Sequence, residues 1–387
     1  MLKSNDINLF YDKYKSHGLN GRYVTNDHIL PLLKALDSDS SFSVIGNTEQ
    51  QNPIYSIDYG VGSIKILIWS QMHGNESTTT KSIFDCLNIF NSMDDELFYK
   101  IFKIKIVPIL NPDGAVFYNR YNSNNIDLNR DADNLSQIES RILMNLFNEF
   151  KPNFCFNMHD QRSIYSAGNS NNPATLSFLS PSQDINRSIS NNRKIAMQII
   201  SKVSNELNEL IPNQISRFDA AFNINCTGDK FQSLGVATIL FEAGHFQNDY
   251  SREMSRKYMT IAIYEALLSI VDKSYLNYTT EDYFKIPENK PMFLDLIIKN
   301  VVLNNKTNDL FDVGILFREI LDNNNISLIP TVVKIENLNS FFGHRIIDAK
   351  GDNGLQIFGK DILQNDIINF ILINNRKINL FIDNNLV

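Results

Sequence analysis

The chain of 387 residues is 43% hydrophobic and 20% charged, with a formal net charge of −7 and a pI near 5.4. That composition can bury a sizeable core, and the length suits two domains. The acidic balance disfavours nucleic acid as a partner, and no apolar run approaches the roughly 18 residues needed to cross a bilayer.

The amino terminus, MLKSNDINLFYDKY, lacks the basic-then-apolar pattern of a secretory signal. Cys86, Cys155 and Cys226 are widely spaced, as suits a reducing compartment, so the expected location is the cytoplasm. Helices are predicted at 6–15 and 26–37, on either side of SHGLNGRY. From about residue 53 the rhythm changes. GSIKILIWS (62–70) reads as a strand, and TTTKSIFDCLNIFNSM (78–93) as a helix with Ile83, Leu87 and Phe90 on one face. KIKIVPIL (103–110) reads as a second buried strand, ended by the turn signal NPDG. A helix at 134–150, a short strand NFCFNM (153–158), a long helix at 184–210, the strand LGVATILFEA (234–243) and a helix at 249–272 follow.

Strands alternating with helices predict an α/β sheet covered on both faces. Ligands of such sheets bind beyond the carboxyl ends of the strands. That gathers His73, the NPDG turn, His159 and Glu242 into one region, because each follows or ends a predicted strand. After IPENKP (286–291) the pattern shifts to short apolar runs such as FLDLIIKNVVL, SLIPTVVKI and NFILINN. The expectation is a catalytic domain over 1–280 and a small, mainly β accessory domain over 286–387.

His73 and Glu76, three residues apart in IWSQMHGNESTTT, form an HxxE pair. A hydrolytic metal takes three protein ligands and keeps one position open. His159, in FCFNMHDQRS, is placed to be the third. Glu242, in ILFEAGH, ends an apolar strand, where desolvation raises a carboxyl pKa and favours proton transfer. Arg120, Asn129 and Arg130 share the loop NPDGAVFYNRYNSNNIDLNRD, where guanidinium groups can clamp a carboxylate and stabilise an oxyanion. Taken singly, each also reads as an ordinary loop or strand-end residue. There is no GxSxG elbow, P-loop, GxGxxG after a strand or paired CxxC.

Taken together, HGNE (73–76), NPDG (111–114), RYNSNNIDLNRD (120–131), His159 and EAG (242–244) resemble the zinc carboxypeptidases related to carboxypeptidase A, over roughly residues 50–275. The resemblance implies a mixed, mostly parallel sheet with helices on both faces. It implies one zinc ion per chain, bound by His73, Glu76 and His159. Glu242 would be the general base, Arg120 would polarise the scissile carbonyl, and Asn129 with Arg130 would bind the free carboxylate of a peptide's last residue. The expected substrate is therefore a peptide, or an acyl-amino acid, with a free carboxylate.

Two departures stand out. The family often carries a tyrosine about two dozen residues before the catalytic glutamate, whereas NQISRFDAAFNINCTGDKFQSLG (213–235) has none, and Phe218 and Phe222 cannot donate a hydrogen bond. The interval from Glu76 to His159 is also short, implying trimmed loops and a more open cleft. Deacylases of the aspartoacylase and succinylglutamate desuccinylase type share a similar HGNE-to-DLNR pattern, so removal of an acyl group from an amino acid is the alternative activity. Cleavage of cell-wall peptides is another. NPDG and the Arg120-to-Asn129 interval look more like the peptidases. Thr227, Asp229 and Arg162 are expected near the site, and His245 in a structural role.

Overall fold

The computed structural model describes residues 3–36, 40–92, 97–302, 309–350, 362–373 and 376–380. The last positions of several predicted segments, 37, 93, 303 and 374–375, lie outside them. Among the described residues, ten strands precede residue 292: β1 (Ser40–Asn47), β2 (Pro53–Tyr59), β3 (Ile64–Trp69), β4 (Phe102–Val107), β5 (Phe154–Asp160), β6 (Ser166–Ala167), β7 (Leu176–Leu179), β8 (Ile215–Arg217), β9 (Ala237–Ala243) and β10 (Asn289–Lys290). Eight of them form one sheet in the order β1-β2-β4-β3-β5-β9-β7-β8. The centre, β4-β3-β5-β9, is parallel, as is the β7–β8 edge. β1–β2, β2–β4 and β9–β7 are antiparallel. This is the mixed, mostly parallel sheet expected.

The central strands read as unbroken apolar runs because both faces are covered. In β3, Ile66 and Ile68 pack into one core and Leu67 and Trp69 into the other. The first core takes most of its helical residues from Thr78–Asn91, Asn191–Leu210 and Glu253–Asp272, the second most of its own from Ile138–Phe150 and Thr227–Ser233. Strand alternation therefore decides which layer each side chain meets.

Three predicted helices begin late; the one at 249–272 starts at Glu253, whose amide Asp249 accepts at 3.0 Å. Residues 134–137 are drawn into a loop by the Asp131 carboxylate, which accepts the amides of Ser136 and Gln137 at 2.9 Å. Residues 184–190 form a turn in which Asp184 accepts the Ser188 amide and Arg187 adopts φ +56°. The predicted strand 103–110 ends at Val107.

Beyond residue 292, β11 (Phe293–Val302), β12 (Leu310–Asp322), β13 (Asn325–Glu336) and β14 (Phe342–Asp348) form a second sheet ordered β13-β12-β11-β14, and β15 (Phe370–Ile373) pairs with β16 (Arg376–Asn379). This part is β-rich, as expected, with apolar clusters of its own. It rests on the loops that leave the carboxyl ends of β5 and β9. The Phe293 amide donates to the Ile164 carbonyl at 2.9 Å, His344 Nε2 lies 2.8 Å from the Ser163 carbonyl, and the Tyr250 hydroxyl donates to Asp295 at 3.0 Å. No described helix is long and apolar enough to cross a membrane.

Candidate metal centre

β3 ends at Trp69, and the chain turns through Gln71 at φ +48° before reaching HGNE. This loop packs directly on the NPDG loop. A Cβ on Gly74 would stand 2.0 Å from the carbonyl carbon of Gly114, so no side chain fits between the two backbones. The Asn111 side chain fastens the contact, accepting the Gly114 amide and donating to the Met72 carbonyl.

Three of the residues singled out in the sequence converge here. His73 Nδ1 lies 2.8 Å from Glu76 Oε1, and His159 Nδ1 lies 2.8 Å from Glu76 Oε2 and 3.2 Å from His73 Nδ1. One ligand atom from each falls within 4.8 Å of the others, and all three residues are buried. Two imidazole nitrogens facing one another across a carboxylate is the donor set of a catalytic zinc site. Both imidazoles face the cluster through Nδ1, so each can offer that nitrogen to one shared ion. The residues present thus fit a divalent cation.

The electrostatics agree. Burial disfavours charge on Glu76, but the two histidines outweigh it and hold its carboxyl well below the usual range. His73 is pushed up despite its burial, by Glu76 and Asp127; His159 is pushed down by burial, against the attraction of Glu76. Glu242 is driven well above the ordinary carboxyl range by burial and then by the charges of Glu76 and Asp160. A dication among these carboxylates would reverse that last effect.

β5 delivers two neighbouring residues to opposite sides. His159 joins the cluster, and Asp160 caps the helix Thr78–Asn91, accepting the amides of Thr78 and Thr79 at 2.9 and 3.3 Å. Glu242 of β9 is the register partner of His159 and lines the same cleft. Its glycine neighbour serves packing: a Cβ on Gly244 would come within 2.0 Å of the Ala174 carbonyl oxygen.

The Asn-rich loop supplies the cations. Arg120 donates to Asp127 from Nε at 3.1 Å and to Glu76 at 3.3 Å. Asp127, which the sequence reading passed over, is the hinge of this side. Its other oxygen lies 3.0 Å from His73 Nε2, a carboxylate behind a candidate ligand histidine. Its only signal in the sequence was its place in the IDLNRD run. Asn129 accepts the Thr227 amide at 2.9 Å, which leaves its NH2 group to donate to a ligand. Arg130 is exposed, donating to the Asn129 carbonyl and to Cys226 Sγ.

All seven candidate residues line one cleft of about 530 Å3, together with Arg162, Phe218 and Asp229. Burial raises the Asp229 carboxyl to about 6. Thr227 approaches through its amide, and Phe222 is not part of the lining. The cleft does hold a tyrosine: Tyr165, from the loop after β5, packs edge-on against Phe218, ring centroids 5.5 Å apart. It comes from a different loop than 213–235. His245 is buried, its ring 4.1 Å from that of His344, in keeping with a structural role.

Known proteins resemble this chain over part of its length. A sequence profile for the family described as zinc carboxypeptidase matches residues 30–209. The match contains His73, Glu76, Arg120, Asn129, Arg130 and His159; Glu242 lies beyond it and is brought in by β9. Carboxypeptidase 2 of Trichophyton tonsurans is 32% identical over 103 residues, 25% of this chain and 19% of that protein. The chain spans about a fifth of the length of the curated relatives it matches. Among solved structures, a metallo-carboxypeptidase from Burkholderia cenocepacia aligns with TM-score 0.50 at 15% identity, over 65% of this chain and 70% of that one. Bovine thrombin-activatable fibrinolysis inhibitor, solved in complex with tick carboxypeptidase inhibitor, aligns with TM-score 0.53 at 13% identity, over 65% and 98%. At these identities the structural likeness is one of fold.

Proposed function

Residues 30–209 relate this chain to the zinc carboxypeptidases, and on that footing we propose that it is a zinc-dependent metallocarboxypeptidase that hydrolyses the last peptide bond of a chain with a free carboxyl terminus. The observation that carries the reading is the convergence of His73, Glu76 and His159 beside Glu242, in a cleft that also holds Arg120 and Arg130.

Zinc held by the two histidines and Glu76 would supply an acidified water and a Lewis-acid charge. The chain's own groups do the rest. Glu242 takes the proton of the attacking water and returns it to the departing amine. Arg120, oriented by Asp127, donates to the carbonyl oxygen as negative charge gathers on it. Asn129 and Arg130 pair with the terminal carboxylate, which only a chain end offers. Tyr165 gives the cleft a phenolic donor, which the 213–235 loop lacks.

The test is mass spectrometry of a peptide pool incubated with the zinc-loaded protein, each peptide present with a free and an amidated carboxyl end, and N-acylated amino acids added. Loss of single terminal residues from free-ended peptides alone is the expected result. Intact peptides with cleaved acyl-amino acids would assign the deacylase activity instead.

A further inference from the structure

The carboxyl-terminal sheet has no catalytic pattern in its sequence, yet it sends one side chain into the cleft wall. Of the described lining residues, only Glu319, on β12, comes from beyond residue 252. We propose that Glu319 is a positioning residue for Arg120, which makes the carboxyl-terminal sheet a working part of the cleft. The proposal rests on the hydrolase reading above.

Both oxygens of Glu319 are engaged, and both partners lead to the metal cluster. Oε1 pairs with Arg22 at 2.7 Å, and Oε2 accepts the Tyr118 hydroxyl at 2.6 Å. Tyr118 stands two residues before Arg120 and is buried at φ +51°, a backbone shape that a residue of its bulk holds only when its surroundings enforce it. Arg22 belongs to the segment that braces the other side. Its carbonyl accepts the Ser77 hydroxyl at 2.6 Å, next to Glu76, and the neighbouring Val24 carbonyl accepts Gln71 Nε2 at 2.7 Å. Tyr23 closes the ring by donating to the Val116 carbonyl at 2.9 Å.

Glu319 is thus a clasp between the amino-terminal segment, the Tyr118–Arg120 turn and the second sheet. Only 9% of the Arg22 side chain is exposed, so removing the carboxylate strands a largely desolvated cation and a buried phenol together. The turn carrying Arg120 then loses its anchor to the second sheet. A shift of about 1 Å in a catalytic group can cost on the order of a hundredfold in rate.

The experiment is a double-mutant cycle on the zinc-loaded full chain. Glu319→Gln should lower kcat about tenfold or more, with KM changed less than about threefold. In an Arg120→Ala background the same substitution should change kcat less than about twofold, because the group it positions is gone. Tyr118→Phe, which removes one of the two contacts, should give a smaller fall in the same direction. An unchanged kcat in Glu319→Gln, or a full fall in the Arg120→Ala background, overturns the proposal. Amide hydrogen exchange over residues 116–122 reads positioning without turnover. It should quicken in Glu319→Gln, and unchanged exchange there also overturns the proposal. A wild-type protein that hydrolyses none of the substrates defeats the proposed function, while the exchange measurement still decides the role of Glu319.

Discussion

His159 and Glu242 sit side by side across the parallel strands β5 and β9, register partners on one face of the sheet. One therefore enters the metal cluster while the other faces it as a titratable neighbour. Replacing Glu242 with Gln keeps the shape and removes the proposed base. Metal content measured by plasma mass spectrometry should stay at the wild-type level, while kcat falls by about 10²–10⁴. His159→Ala should instead lose the metal, and a chelator should abolish activity in the wild type. Full turnover by Glu242→Gln would remove Glu242 from the mechanism.

Asp127 holds His73 with one oxygen and Arg120 with the other. Asp127→Asn weakens both contacts at once. Metal affinity, followed by competition with a chromophoric chelator, should fall by about 10–100-fold. An affinity equal to the wild type would show that His73 is oriented by its own loop alone.

Away from the cleft, Arg256 and Asp85 form a fully buried ion pair, with both carboxylate oxygens engaged by the guanidinium at 2.7 Å. The same carboxylate accepts the Ser16 amide and the Tyr11 hydroxyl, tying the first helix to the sheet's helical layer. Asp85→Ala leaves a buried cation without its partner and should cost about 3–5 kcal/mol in denaturant unfolding. A loss below 1 kcal/mol would mean that water or a rearranged side chain takes the carboxylate's place.

Glu253 is opposed by burial but held at about 2 by Lys81 and Arg256, with Lys15 also bonded to it. A carboxyl lowered on folding stabilises the protein above its unfolded value near 4.5. That stabilisation drains away as pH falls toward 2. With its side chain 23% exposed, the contribution is on the order of 2–3 kcal/mol. Glu253→Gln should therefore unfold more readily at pH 7, and its deficit against the wild type should shrink steadily between pH 4.5 and 2. A deficit independent of pH would mean that packing, and not charge, is what Glu253 contributes.

The parallel core was legible because strands buried on both faces leave unbroken apolar runs, and the candidate ligands and Glu242 end those runs or closely follow them. The sheet's edges were not. β1 mixes exposed and half-buried residues, while β7 and β8 have four and three residues, too few to show a period. Asp127, Tyr165 and Glu319 were missed for a shared reason: what they do depends on which loop the fold lays against which. Asp127 meets His73 across 54 residues of sequence, and Glu319 meets Tyr118 across 201. Composition carries no trace of such meetings.

The opposite bearings of His159 and Asp160 make β5 a two-sided latch. A slip of one residue in its pairing with β3 and β9 would turn the helix-capping carboxylate toward the cluster and the imidazole toward the helix. A single error would then spoil both ends of the arrangement. A strand paired one step out of place could neither seat the helix Thr78–Asn91 nor gather a cation, so only correctly threaded molecules acquire the chemistry.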